Sequence, residues 1–159
     1  TVMAHAGSSD HIAGRTPLKV LGFMTGTSLD AIDMAVLTTD GETIVELGAT
    51  GEVKLDQLTR SFAEKAIADA LTWPREQAEP ASFDPARILI ARAHIAAAAT
   101  FFAVHPGLRE TIDLVGVHGQ TVLHEAPSGG CNGRSIQLID ADLLASGLEM
   151  PVAHDFRAV

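Results

Sequence analysis

The stretch "LGFMTGTSLDAIDMAVL", residues 21–37, decides the fold. It sets a polar, turn-prone knot between two apolar runs, so residues 19–23 read as a strand entering the knot and residues 32–38 as a strand leaving it. A hairpin needs only about two turn residues. This connection instead carries Gly26, Thr27, Ser28, Asp30 and Asp33: one flexible backbone position, two hydroxyls and two carboxylates. No G-x-x-x-x-G-K-[ST] pattern is present and no helix follows the knot, so the P-loop mechanism does not apply.

Working outward, "TTDGET" puts Asp40-Gly41 at the tip of a turn, and "TIVELGATGEVKL" supplies a third strand of an antiparallel meander. In "LDQLTRSFAEKAIADAL" the apolar residues Leu55, Leu58, Phe62, Ile67 and Leu71 fall at helical spacing. After a Pro-broken connection, Asp84-Pro85 reads as an N-cap with Pro at the first helical position. That helix runs toward His105 and is stopped by Pro106-Gly107. A short strand over residues 114–117 ends in a second polar knot, "HGQTVLH", followed by a Gly-rich loop through Gly133. Residues 135–139 offer another strand. Asp140 caps a short helix with Gly147 at its C-terminal end, and "MPVAHDF" is a last buried strand. The fold class is α/β, a mixed β-sheet with flanking helices. Its polar knots sit at strand ends, where open α/β sheets bind ligands.

Composition narrows the function. The chain has 159 residues, the size of one domain, and a formal net charge of −9. That charge argues against nucleic acid or an anionic membrane as partner, since both call for clustered Lys and Arg. It leaves room for a nucleotide, whose phosphates backbone N–H groups can hold. The single cysteine, Cys131, excludes an internal disulfide and fits a reducing compartment; it lies in the loop "SGGCNGR" with only Arg134 nearby as an activating neighbour. Residues 1–17 lack the charged start and apolar stretch of a signal peptide and read as a flexible leader. The most apolar run, "ILIARAHIAAAATFFAV", is interrupted by Arg92 and His94 and reads as a buried or amphipathic helix rather than a membrane span. A cytoplasmic protein is expected.

Each knot has a functional and a plain reading. In "TGTSLD" small residues leave the backbone open, so several N–H groups can face one concavity, with Asp30 and Asp33 holding Mg²⁺ directly or through water. The plain reading is a decorated turn whose hydroxyls satisfy their own backbone. In "GVHGQTVLHEAP", His118, Gln120, Thr121 and His124 are placed to hydrogen-bond ligand hydroxyls. The alternatives are a structural loop or a zinc site, the latter poorly served by histidines six residues apart. Asp155 and Arg157 in "AHDFRAV" read most simply as an ion pair or hydrogen bonds securing a strand end.

Together the knots resemble one family, anhydro-N-acetylmuramic acid kinase, of the sugar kinase, Hsp70 and actin superfamily. "GFMTGTSLDAID" is similar to its G-x-M-S-G-T-S-x-D-G-x-D, "HGQTVLH" to H-G-Q-T-x-x-H, and "QLIDADLLA" with "HDFR" to its third motif. The resemblance implies an actin-like ATPase (ribonuclease H-like) N-terminal lobe over residues 18–159. It further implies an enzyme that opens the 1,6-anhydro ring with water and phosphorylates O6 from ATP, giving N-acetylmuramic acid 6-phosphate in peptidoglycan recycling. By the match, Gly26, Thr27, Ser28, Leu29, Asp30, Ala31, Ile32 and Asp33 are the ATP phosphate loop, with Asp30 and Asp33 toward Mg²⁺. His118, Gln120, Thr121, His124, Asp155 and Arg157 fall on the sugar side.

The departures matter too. Thr25 stands where Ser is usual, "HEAP" carries one residue more than H-x-P, and Ala31 replaces a Gly, where a Cβ crowds a close approach or excludes positive φ. The family's general-base Asp corresponds to a position just after Val159, so no catalytic residue is assigned here and the chain alone is expected to be inactive. A lobe without its C-terminal partner lobe exposes an apolar face, which favours self-association. The alternatives are a standalone nucleotide- or amino-sugar-binding half-domain working with a separate C-terminal chain, and a structural domain that has lost its ligand.

Overall fold

A computed structural model describes residues 16–130 and 132–157. Apart from Thr16 and Pro17, the expected leader lies outside the described residues, as does Cys131. Strands β1 (Leu18–Thr25), β2 (Ala31–Thr39) and β3 (Ile44–Lys54) form the expected meander. Its turn is closed by the Asp40 carboxylate, which accepts from the backbone N–H of Glu42 and of Thr43, and Gly41 supplies the positive φ the turn needs. Helices α1 (Gln57–Leu71) and α2 (Phe83–Val104) follow, then β4 (Leu114–Val117), β5 (Gln120–Glu125), β6 (Arg134–Leu138), α3 (Ala141–Leu148) and β7 (Val152–Ala153).

The main sheet runs β3-β2-β1-β4-β7, with β4 parallel to β1 and β7 parallel to β4. Alternation along each strand decides which face is covered. Leu21, Phe23, Ile32, Met34, Val36, Val115 and Val117 point to one side and meet Ala91, Ala97, Ala98 and Phe101 of α2 and Leu144 and Leu148 of α3. Phe101 lies so close over Gly51 of β3 that a Cβ there would be 2.7 Å from its ring. The apolar α2, long enough by composition to cross a bilayer, is thus the central core helix. A second cluster joins Ala66 and Ala70 of α1 and Phe83, Ala86 and Ile90 of α2 to Val122, Leu123 and Leu138 of the β5–β6 hairpin.

Four expectations are corrected. Residues 120–125 form a strand, where only a polar knot leading into a loop is expected. A register shift between Thr121 and Leu123 buries Val122 and Leu123 together, which breaks the alternation that marks a strand. Helix α2 starts at Phe83, not Pro85. Ser82 takes the N-cap position, and its hydroxyl donates to Asp69 at 2.6 Å, tying α1 to α2 while Phe83 packs edge-on against Trp73. Gly147 lies within α3, where Ile95 packs onto it; the left-handed C-cap is Glu149, φ 55°. The last strand is only Val152–Ala153, both half-buried, with residues 154–157 exposed, because its pairing with β4 ends at Ala153 and nothing among the described residues covers the chain beyond it. Helix α1 has the expected spacing; it turns Thr59, Ala63, Ala66 and Ala70 inward and leaves Leu58 and Leu71 largely exposed. The Asp140 cap is as expected, its carboxylate accepting from Leu143 N–H at 2.9 Å.

Candidate functional site

Because β1, β4 and β7 are parallel, their C-terminal ends share one edge of the sheet, and the three knots leave from that edge. The first two touch directly. Thr25 Oγ1 donates to the Gly119 carbonyl at 3.4 Å, and Gln120 Nε2 reaches the Gly26 carbonyl at 3.5 Å. The third knot joins the second in a cleft of about 220 Å³ lined by His118, Gln137, Ile139, His154 and Asp155.

The loop of residues 26–30 is held by its carbonyls. That of Gly26 accepts from Leu29 N–H at 3.3 Å as well as from Gln120; that of Ser28 accepts from Arg60 at 3.4 Å; that of Asp30 accepts from Leu55 N–H at 2.9 Å. The N–H groups of Thr27 and Ser28, both in exposed residues, have no acceptor within hydrogen-bond reach among the described residues. Three of the five carbonyls are thus engaged while two adjacent N–H groups have no protein acceptor among the described residues, a pairing that favours an anion. The left-handed residue is Leu29, φ 54°, with its side chain buried, rather than Gly26. Ala31 stays outside the positive-φ region and opens β2, so its Cβ does not force the loop open.

The Ser28 hydroxyl donates to Asp30 Oδ1 at 2.5 Å, and this bond above all holds the Asp30 carboxyl below the usual carboxylate range. Asp30 is therefore ionised at neutral pH. Ile32 is in the core, whereas Asp33 is exposed on the uncovered face of β2. Among the described residues no three His, Cys, Asp or Glu side chains converge as a metal cage. Asp30 or Asp33 could support a hard cation such as Mg²⁺ only where its other ligands come from water or a ligand.

The residues expected on the sugar side divide. His118 Nδ1 lies 3.1 Å from the Gly119 carbonyl, to which it can only donate; Nε2 is buried and without a partner among the described residues, and the side chain lines the cleft with His154 and Asp155. Gln120 is 1% exposed and bridges the two loops rather than facing solvent. Thr121 Oγ1 accepts from Gln137 at 3.5 Å. His124 lies at the far end of β5 against Ser135, 3.4 Å away, in a separate cavity of about 480 Å³ shared with Arg134. Asp155 takes φ 65° and Arg157 is exposed. Two residues outside the candidate set also matter here: Arg60, which touches the loop from α1, and His154, which lines the cleft. The HDFR match carries His154; Arg60 has no sequence signal beyond its place in a helix.

A meander extended by two parallel strands, with polar loops at their shared end, is the architecture of an actin-like N-terminal lobe. Comparison with known proteins then gives the family. The profile described as anhydro-N-acetylmuramic acid kinase matches residues 18–159, and the chain belongs to that family. Relatives of that name occur in Phenylobacterium zucineum, 54% identical over 141 residues, in Caulobacter vibrioides, 51% over 140, and in Brucella anthropi, 44% over 142. The matches cover 88–89% of this chain and 38% of each relative, so the chain spans well under half the length of the proteins it resembles.

Proposed function

We propose that this chain is the N-terminal lobe of an ATP-dependent kinase of 1,6-anhydro-N-acetylmuramic acid, supplying the loop that grips the nucleotide phosphates and part of the sugar pocket. One observation carries the reading: the Gly26, Ser28 and Asp30 carbonyls accept from protein donors, while the Thr27 and Ser28 N–H groups have no acceptor among the described residues. Anions are held this way where no lysine is at hand. Mg²⁺ on the phosphates would neutralise the charge that moves with the transferred phosphoryl group. His118, His154 and Asp155 line one cleft whose polar side chains would take sugar hydroxyls. In this reading the sugar accepts phosphate at O6 as water opens the anhydro ring, and the product enters peptidoglycan recycling in the cytoplasm.

No residue of this chain is assigned the role of taking the proton from water. Asp155 lies in the cleft, but the motif resemblance implies a later Asp in that role. Isothermal calorimetry tests the reading with Mg·ATP and, separately, with the anhydro sugar. Binding of both, with Asp30→Asn weakening only Mg·ATP and His118→Phe only the sugar, supports it. Absence of Mg·ATP binding, or equal loss in both variants, would sink it. A second reading, a half-domain that works with a separate C-terminal chain, draws on the uncovered sheet face, where Met24 is 59% and Phe156 60% exposed. Recovery of kinase activity on mixing with such a chain is its test.

A further inference from the structure

We propose that Arg60 contacts the bound phosphates, making it the cationic member of a loop that has no basic residue of its own; the inference rests on the phosphate-loop reading above. Residues 26–33 carry two carboxylates and no Lys or Arg. Among the described residues, Arg60 is the one Lys or Arg whose side chain is hydrogen-bonded to that segment.

Its placement is fixed from both sides. The Leu55 N–H bond to the Asp30 carbonyl, 2.9 Å, brings the start of α1 against the loop. Asp56 then locks the first helical turn, accepting from Thr59 N–H at 2.9 Å and from its hydroxyl at 2.6 Å, so the Arg60 backbone cannot drift from the site. The guanidinium is less committed. It donates through Nε to Glu64 at 3.1 Å and through Nη2 to the Ser28 carbonyl at 3.4 Å, and the side chain remains 42% exposed. A guanidinium has five N–H donors, so three remain.

The contact with Ser28 is long and involves a neutral acceptor. A phosphate oxygen is a charged acceptor, and hydrogen bonds between charged partners are shorter and about twice as strong. A planar fork also matches two phosphate oxygens at once. A phosphate seated on the Thr27 and Ser28 N–H groups therefore engages the donors that Arg60 leaves open, while Glu64 keeps the side chain extended along the helix.

Mg·tripolyphosphate is the probe, because it needs no adenine pocket, and calorimetry on this chain at several salt concentrations is the measurement. Arg60→Gln is expected to weaken binding about tenfold and to flatten its salt dependence, and Arg60→Lys to recover most of both. Melting curves establish that each variant is folded. If Arg60→Gln binds as tightly as the unaltered chain, the proposal is overturned and the loop reading stands. Equal weakening in the Gln and Lys variants, with the salt dependence unchanged, also overturns it, because Arg60 would then only shape the loop. If the unaltered chain does not bind the probe, the phosphate-loop reading falls and takes the proposal with it.

Discussion

At the scale of single residues, two positions make opposite demands on the backbone and on pH. Gly119 holds φ 78°, and a Cβ there would stand 2.9 Å from the Leu138 carbonyl, so neither its dihedral nor its surroundings admit a side chain. Gly119→Ala should cost about 1–3 kcal/mol in urea unfolding; a change within error would mean that the turn yields freely. His94 is fully buried on α2, with Nδ1 2.7 Å from the Ile90 carbonyl, Nε2 unpartnered and the ring edge-on to Phe23. Burial pulls its pKa down to about 4, against a small opposing effect of the Ile90 bond. Because the unfolded chain binds this proton more tightly, the contribution is complete above the unfolded value of about 6.5 and is lost as pH falls toward 4. The loss is of order 3 kcal/mol. His94→Leu should flatten stability against pH in that window, leaving only the losses from carboxylates such as Asp30 and Glu125 at lower pH. An unchanged slope would contradict the assignment.

At the scale of elements, α1 shows where pattern and packing part. The spacing of Leu58, Phe62, Ile67 and Leu71 correctly marks a helix, yet the face it buries is built on Ala63, Ala66 and Ala70. Large apolar residues announce periodicity; only the neighbouring helix decides which face it accepts, and the alanine-rich α2 accepts small residues. Ala66→Leu should therefore destabilise by about 1–3 kcal/mol through overpacking, whereas Leu58→Ser should stay within about 0.5 kcal/mol. The reverse order in chemical denaturation would mean that the helix is turned the other way. The meander, its Asp40-Gly41 turn and the Asp140 cap were legible because their signals are local. Strand β5 was not, since its bulge buries two consecutive residues. The loop residues of the site were legible as polar residues stranded between apolar runs. The left-handed Leu29 and the reach of Arg60 were not: leucine rarely takes that conformation, and a contact spanning 32 residues leaves no local trace.

At the scale of the whole molecule, the helices packed in the main core leave the opposite face of the sheet uncovered, where Met24 and Phe156 stand exposed and Gly22 and Gly116 offer no side chain. Exposed apolar surface of this kind seeks a partner. Self-association that rises with concentration, and that Met24→Lys reduces, is expected in sedimentation experiments; a monomer at all concentrations would contradict it. The same sheet gathers three loops at one edge, and the central claim concerns the first of them. Its most direct test is a titration of the isotopically labelled chain with Mg·ATP, following each backbone amide by NMR. The account predicts that the Thr27 and Ser28 amides shift first and furthest, while amides at the far hairpin near His124 stay still. Shifts centred on that hairpin, or none at Thr27 and Ser28 at saturation, would contradict the phosphate-loop assignment.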